Sequence, residues 1–107
     1  MQRVASVIHL RFDKREEYLE LHRNPHPAVL ETLKRVGVQN YSIFLHADLL
    51  FSYLEFVGED WEAAQRQIAA DPATQAWWQL TDPCQTPLET ARAGEHWANM
   101  EAVFYLE

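Results

Sequence analysis

The sequence has few of the residues on which several common classes of protein depend. It contains one cysteine, Cys84, in 107 residues, which excludes an internal disulfide framework and a zinc site built from several cysteines. Lysine and arginine together number 9 against 16 acidic residues, so the formal net charge is −7. Because binding to phosphates relies on basic side chains, this balance argues against a nucleic-acid partner and against an anionic membrane surface.

Long apolar runs and glycine-rich loops are also missing. No stretch approaches the roughly 18 apolar residues of a membrane helix. Polar residues interrupt the N-terminal segment MQRVASVIHLRF, where a signal peptide has a continuous apolar run. With only 3 glycines, the chain has no phosphate-binding loop and no G-x-S-x-G motif. We therefore expect a cytoplasmic protein whose partner is a small neutral molecule or another protein.

The residues that are present predict a folded domain spanning positions 1–107, with 48% hydrophobic and 12% aromatic residues. The first half of the chain reads as strand, helix, strand and strand. Asp13, with Glu16 three residues later, predicts a capped helix start, and Pro25 and Pro27 predict an interruption before Gly37 ends the helix. The predicted segments are a strand over 3–12, a helix through EEYLELH that resumes near Pro27, and strands over about 38–46 and 49–57 joined at Ala47-Asp48.

The second half of the chain reads as helix and strand. Asp60 or Glu59, and then Asp71-Pro72, predict two helix starts, and Pro83 predicts the end of the second helix. The stretch CQTPLETARAGEH is predicted to be a loop, and 97–106 a closing strand. The order β-α-β-β-α-β predicts an α+β fold with a ferredoxin-like antiparallel sheet.

The predicted strands carry apolar residues on both faces, although helices can cover only one face of such a sheet. A second copy of the chain packed sheet against sheet, as a homodimer, would cover the other face. The alternative is a sheet that curls around its own long loops.

Tyr18 and His22 are the pair of residues that most clearly indicates a catalytic site. Their spacing of four residues places both on one face of the first helix, and imidazole is the side chain best suited to moving protons near neutral pH. The plainer interpretation is a partly buried tyrosine beside a surface or capping histidine. His22 and His26 also have the spacing of a metal pair, but the flanking Pro25 and Pro27 disfavour that geometry, and we predict no metal site.

Three further aromatic residues are candidates for binding. Trp77 and Trp78 point about 100° apart on a helix, so at most one of them can be fully in the core, and indole faces suit sugar rings. Core packing of both tryptophans is the alternative. Tyr41, near the start of the second strand, needs a partner for its hydroxyl if it points into the fold. Cys84 lies beside Pro83 with no cationic neighbour and is interpreted as an inert thiol.

Taken in order, six segments make the chain resemble the L-rhamnose mutarotase family over nearly its whole length. They are EEYLELH, Pro27 with the apolar helix after it, QNYSIFL, LLFSYLEF, the tryptophan pair before a helix end, and the closing MEAVFYL. The segments NYSIFL and DPATQAWWQLTDPCQ are similar to those of the relatives assigned to L-fucose mutarotation. Two departures are His26, where the family often has tryptophan, and CQTPLETARAGEH, where an Asn-Pro-Asp-Asn segment is common.

The resemblance implies a dimeric α/β barrel that interconverts the α and β anomers of a 6-deoxy-L-hexose such as L-rhamnose or L-fucose. It implies that His22 is the proton donor, that Tyr18 and Tyr41 contact a neutral monosaccharide, and that Trp77 and Trp78 complete the pocket. The reaction requires no cofactor. The competing interpretations are a non-catalytic small-molecule binding module and a cofactor-free monooxygenase of the same fold.

Overall fold

The computed structural model describes all residues from Met1 to Glu107. The chain forms five strands and four α-helices. In chain order they are β1 (Gln2–Leu10), α1 (Arg15–Arg23), α2 (Pro27–Val36), β2 (Val38–His46), β3 (Leu49–Phe56), α3 (Trp61–Ala70), α4 (Pro72–Thr81), β4 (Gln85–Thr86) and β5 (Ala98–Asn99).

All strand pairs are antiparallel, in the order β2-β3-β1-β4, with β5 also paired to β1. Two long central strands flanked by β2 on one side and by the late strands on the other make the ferredoxin-like arrangement, as the element order predicted. None of the four helices is both long and apolar enough to span a bilayer.

The helices begin and end largely where local signals place them. The side chains of Asp60 and Asp71 accept hydrogen bonds from the backbone N–H groups of Ala63 and Thr74, which caps α3 and α4. Gly37 ends α2 with φ at +108°, a left-handed conformation that favours glycine. The prolines separate α1 from α2, and His26 caps α2 by accepting from the N–H of Ala28.

The start of α1 differs from its prediction. Residues Phe12–Lys14 form a 3₁₀ turn, α1 begins at Arg15, and no side chain caps it. The carboxylate of Asp13 accepts a hydrogen bond from Arg11 instead, at 2.9 Å. The first strand was predicted to extend to Phe12, but β1 ends at Leu10 and Phe12 is 91% exposed.

The C-terminal third of the chain departs most from its prediction. The stretch predicted to be a loop contains β4, whose Gln85 pairs with Leu10 of β1. Pro83 lies inside a 3₁₀ turn, Asp82–Cys84, that follows the end of α4. The closing strand pairs only at Ala98 and Asn99, and the last backbone bond to β1 is the one that the N–H of Met100 donates to the carbonyl of Ala5. Residues 100–107 are outside the sheet.

One face of the sheet packs against the helices and holds the core in two clusters. The first centres on Ile8, Leu10, Tyr18, Leu50 and Cys84, and the second on Val38, Leu54, Phe56, Ala64 and Ile68. Burial alternates strictly along β3, so every second residue from Leu50 faces the helices. The other side of the sheet carries a row of paired residues, with Phe44 next to Phe51 and Phe51 next to Val7.

Candidate active site

Two adjoining cavities lie between the helices and the sheet. Their volumes are about 360 and about 320 Å³, which suits a small ligand. They share five lining residues: Tyr18, His22, Tyr41, Ile43 and Trp77. The first, which we call the apolar cavity, extends over α2 to Pro25, Val29, Leu30 and Leu33. The second, the polar cavity, extends to Trp78, Thr81, Asp82, Gln85, His96 and Trp97.

All five residues selected from the sequence therefore line the same site. Tyr18 and His22 project together from α1, and their ring centroids lie 4.2 Å apart. The ring of Trp77 approaches His22 edge-on, with centroids 5.2 Å apart. Trp78 lines the polar cavity and is 38% exposed, and Trp77 is half-buried, so neither tryptophan of the pair is a fully buried core residue.

The hydrogen bond of His22 fixes how its ring is protonated. Its Nδ1 lies 2.8 Å from the backbone carbonyl oxygen of Tyr18. A carbonyl oxygen can only accept, so Nδ1 carries the hydrogen and donates it. In the neutral ring, Nε2 then holds the lone pair and has no hydrogen bond to the protein. His22 can therefore accept a proton at Nε2 or, when charged, give one from it.

Tyr18 is held in its neutral form. The residue is 3% exposed, and burial raises the pKa of its phenol well above the ordinary value, with the neighbouring Tyr41 adding to the shift. Gln85 donates a hydrogen bond from Nε2 to the phenol oxygen at 3.3 Å. Because that oxygen accepts from Gln85, its own hydrogen is free to bond to a ligand.

A β-bulge brings Tyr41 to the site. The pairing of β2 with β3 shifts between Gln39 and Ser42, so Asn40 and Tyr41 together oppose one residue, and Asn40 has φ at +48°. Beyond the bulge the strand alternates normally, which puts Tyr41 on the same face as Ile43, toward the helices. Burial raises the pKa of the Tyr41 phenol, so this group is also a hydrogen-bond donor.

Three polar residues of the site were missed by the sequence analysis. Asp82, Gln85 and His96 lie in or next to the stretch interpreted as a loop, and no motif distinguishes them there. Gln85 reaches the cavity because β4 places it opposite Leu10, whose side chain faces the helices. Its Oε1 lies 2.9 Å from Nε2 of His96, and that nitrogen is 3.5 Å from the Asp82 carboxylate.

The two histidines with the spacing of a metal pair, His22 and His26, and the cysteine have other roles in the structure. His26 caps α2, while Nδ1 of His22 bonds to the backbone. No group of three or more histidine, cysteine, aspartate or glutamate residues is arranged to hold a metal. Cys84 is fully buried, and burial together with the nearby Glu17 carboxylate raises the pKa of its thiol, which makes it a poor nucleophile.

The curled antiparallel sheet with helices on one face is the chain fold of the dimeric α/β barrel class, and the aromatic cavity with its histidines is a candidate small-molecule site. The family model described as L-rhamnose mutarotase matches residues 3–106. The chain belongs to the L-rhamnose mutarotase family.

Individual relatives agree with that assignment. The L-rhamnose mutarotase of Listeria monocytogenes is 41% identical over 85 residues, covering 78% of this chain and 79% of the relative. That of Bacillus subtilis is 38% identical over 86 residues, with the same coverage of 78% and 79%. That of Shouchella clausii is 32% identical over 108 residues, 99% of each chain.

Two solved structures share the fold. The crystal structure of an L-rhamnose mutarotase from Formosa agariphila has a TM-score of 0.79 at 24% identity, covering 100% of both chains. Tetracenomycin F2 cyclase from Streptomyces glaucescens, a type-II polyketide cyclase, has a TM-score of 0.72 at 16% identity, covering 100% of this chain and 98% of its own. At these identities the likeness concerns the fold alone.

Proposed function

We propose that this protein interconverts the α and β anomers of a 6-deoxy-L-hexose, L-rhamnose or L-fucose, by acid–base catalysed opening and closing of the sugar ring. The observation that carries the proposal is His22, whose Nε2 is free of protein partners in a cavity walled by Tyr18 and Trp77. The names of the relatives support the same reaction.

The chemistry needs one proton moved at each of two oxygens. The C1–O5 bond breaks as the anomeric O–H electron pair forms the aldehyde, the ring oxygen gains a proton, and the anomeric hydroxyl loses one. After rotation about C1–C2 the steps reverse, so both protons return and no oxidant or reductant is consumed. We propose that His22, as the imidazolium, gives its Nε2 proton to the ring oxygen and takes it back on closure.

The two tyrosines would hold the sugar without exchanging protons with it. Their raised pKa values keep Tyr18 and Tyr41 protonated at neutral pH, so each can donate a hydrogen bond to a sugar hydroxyl. Tyr18 is oriented for this task by the bond that it accepts from Gln85. A donor held in place before binding loses little entropy when the ligand arrives.

The aromatic and aliphatic walls would select a deoxy sugar. Trp77 borders both cavities and Trp78 borders the polar one, where indole faces can cover the apolar side of a pyranose ring. The apolar cavity over α2, with Val29 and Leu33, would take the C6 methyl group. A C6 hydroxyl in that place would lose its hydrogen bonds to water, which disfavours the fully hydroxylated hexose.

Saturation transfer between the anomeric proton signals of L-rhamnose and L-fucose tests the function. The protein should raise the exchange rate above its buffer value, and His22→Ala should lower the enzymatic rate by about 10²- to 10⁴-fold. His46→Ala is the matched control, because His46 is exposed at the end of β2 and lines neither cavity.

Three outcomes separate the alternatives. A wild-type protein that leaves exchange at the buffer rate but binds the sugar would be a binding module and would overturn the proposed reaction. Full activity in His22→Ala would overturn the role of His22 alone. Equal rates with L-rhamnose and its 6-hydroxy counterpart, L-mannose, would overturn the assignment of the methyl group to the apolar cavity.

We also propose that the protein is a homodimer formed through the open face of the sheet. Val7, Phe51 and Phe44 form a continuous apolar row there, and Phe44 is 65% exposed. The C-terminal segment adds Tyr105, whose ring centroid lies 3.8 Å from the guanidinium carbon of Arg3, a residue on the same face of β1 as Val7. A continuous exposed apolar surface is typical of a protein–protein interface. A second copy of the chain, related by two-fold symmetry, would cover this surface with its own identical surface. Sedimentation equilibrium should give twice the chain mass.

A cytoplasmic location is part of the proposal. It is supported by the single cysteine, Cys84, which is buried and forms no disulfide. Proteins of reducing compartments keep their thiols in this free form. Fractionation of the cells that produce the protein tests it, since recovery outside the cytoplasmic fraction would contradict it.

A further inference from the structure

The proposed reaction moves protons at two oxygens, and His22 accounts for only one of them. The polar cavity is lined by five titratable residues, namely Tyr18, His22, Tyr41, Asp82 and His96. The two tyrosines have raised pKa values and keep their protons. The second proton acceptor has to be sought at the opposite wall, where Asp82 and His96 lie.

We propose that His96 is this second proton-transfer residue, which takes the proton of the anomeric hydroxyl while His22 protonates the ring oxygen. The inference rests on the proposed function and deepens it. It concerns a residue in the segment where this chain departs from the pattern of the family that it resembles.

The hydrogen bonds of His96 leave one ring nitrogen available. Nε2 lies 2.9 Å from Oε1 of Gln85 and 3.5 Å from the carboxylate of Asp82. Both partners are acceptors, so Nε2 carries the hydrogen, and in the neutral ring Nδ1 holds the lone pair. Nδ1 has no hydrogen bond to the protein and can receive a proton. Imidazole gains and loses protons near neutral pH, as a general base in this reaction must.

Asp82 completes the arrangement. When His96 takes a proton, the positive charge appears next to the Asp82 carboxylate, at a distance of 3.5 Å from Nε2. The carboxylate attracts the positive charge that develops on the ring as the proton is transferred. The two side chains are 38% and 50% exposed, so water screens the attraction and its effect on the rate should be moderate.

The loop that carries His96 is held by its own hydrogen bonds. The two carboxylate oxygens of Glu95 accept from the backbone N–H of Arg92 and from the side chain of Asn99, each at 2.8 Å. Gly94 turns the chain with φ at +86°, and β5 ties the end of the loop to β1 at Ala98. His96 is therefore next to a fixed turn, as a group that meets a substrate needs to be.

Gln85 links the two walls of the site. It donates to the phenol oxygen of Tyr18 and accepts from His96, so a change at His96 could reach the substrate through Tyr18 alone. In that case His96 would be a positioning residue. The two roles are distinguishable, because loss of positioning weakens substrate binding, whereas loss of a base lowers the rate of the chemical step.

Saturation-transfer kinetics on a set of variants test the inference. His96→Gln should lower kcat by about 100-fold while KM stays within about threefold, as expected for a general base. Gln85→Met, which cuts the link to Tyr18 and leaves His96 in place, should lower kcat by less than about tenfold. Asp82→Asn should fall between them. His46→Gln is the matched histidine control, and melting curves should show that all variants are folded.

The outcomes are separable from those of the proposed function. An active wild type with His96→Gln within twofold of its kcat would overturn the role of His96 and leave the function standing. Equal losses in His96→Gln and Gln85→Met, accompanied by a raised KM, would reduce His96 to a positioning residue and overturn the proposal. An inactive wild type would overturn the function and the role of His96 together.

Discussion

Within a single chain, the two faces of the sheet differ in how far their apolar side chains are buried. On the face toward the helices, Ile8, Leu50 and Phe56 are 0%, 1% and 3% exposed. On the other face Phe44 is 65% exposed, although it is as apolar as they are. Both cavities lie between the helices and the sheet, whereas the apolar surface on the other face is the proposed dimer interface. Stability, assembly and activity should therefore respond to different substitutions.

The largest stability effect is expected on the helix side. Ile8→Ala should lower the free energy of unfolding by about 2–5 kcal/mol, because the fully buried side chain leaves a cavity. Urea denaturation measures the change. The matched substitution on the open face, Phe44→Ala, should cost a single chain less than about 1 kcal/mol, since that side chain is mostly exposed before any association. Equal costs would contradict the contrast between the faces.

For the stability of the proposed dimer, the larger effect is expected from the open face. Phe44→Glu would place an unpaired carboxylate in the centre of the proposed interface, which costs several kcal/mol, and should weaken the dimer by roughly 100-fold or more. Sedimentation velocity on a dilution series should show single chains that keep the far-ultraviolet circular dichroism of the wild type. An unchanged dimer would show that the association uses another surface.

A smaller effect is expected at the bulge of β2. Asn40 has φ at +48° and donates a side-chain hydrogen bond to Glu55 at 2.7 Å. Asn40→Ala should cost about 1 kcal/mol, because alanine is strained in that conformation. Asn40→Gly removes the same hydrogen bond without the strain and should cost less. If glycine were as costly as alanine by urea denaturation, the hydrogen bond and not the backbone would be the cause.

The smallest expected effects concern two carboxylates, one on each side of the sheet. Hydrogen bonds from Thr74 lower the pKa of Asp71 at the start of α4, and bonds from Asn40 and Tyr53 lower that of Glu55 on the open face. A lowered folded-state pKa contributes stability above the ordinary values of 3.8 and 4.5 and loses it as the pH falls through the folded values.

Melting curves at several pH values measure these contributions. Asp71→Asn keeps a cap acceptor for Thr74 and should change Tm by no more than a few degrees at pH 7, while the fall in Tm on acidification becomes shallower. Glu55→Gln should do the same from the open face. A wild-type slope below pH 4 in both variants would assign the acid sensitivity to other carboxylates.

The parts of the fold that follow from neighbouring residues could be predicted. Asp60, Asp71 and Gly37 mark helix ends through bonds to residues within three or four positions, and the structure confirms them. The same holds for the spacing that puts Tyr18 and His22 side by side. Asp13 shows the limit of such signals, since Arg11, only two residues away, binds the carboxylate that the cap would have used.

The rest of the site depends on pairings between distant residues. Gln85 faces Tyr18 because β4 pairs with β1, and His96 reaches Gln85 because β5 pairs with the same strand. Two-residue strands carry no alternation from which such pairing could be predicted. Tyr41 was selected, but the bulge that directs it toward the helices depends on the register of β2 against β3.

The connection between β4 and β5 has both of its ends tied to β1, at Leu10 and at Val7. For such a loop, an added or deleted residue changes the closure entropy only slightly, and even doubling its length costs about 0.6 kcal/mol. Insertions between Pro87 and Arg92 should therefore leave the walls of the site intact. We therefore expect this stretch to accept a change of length, or an inserted tag, with little change in stability.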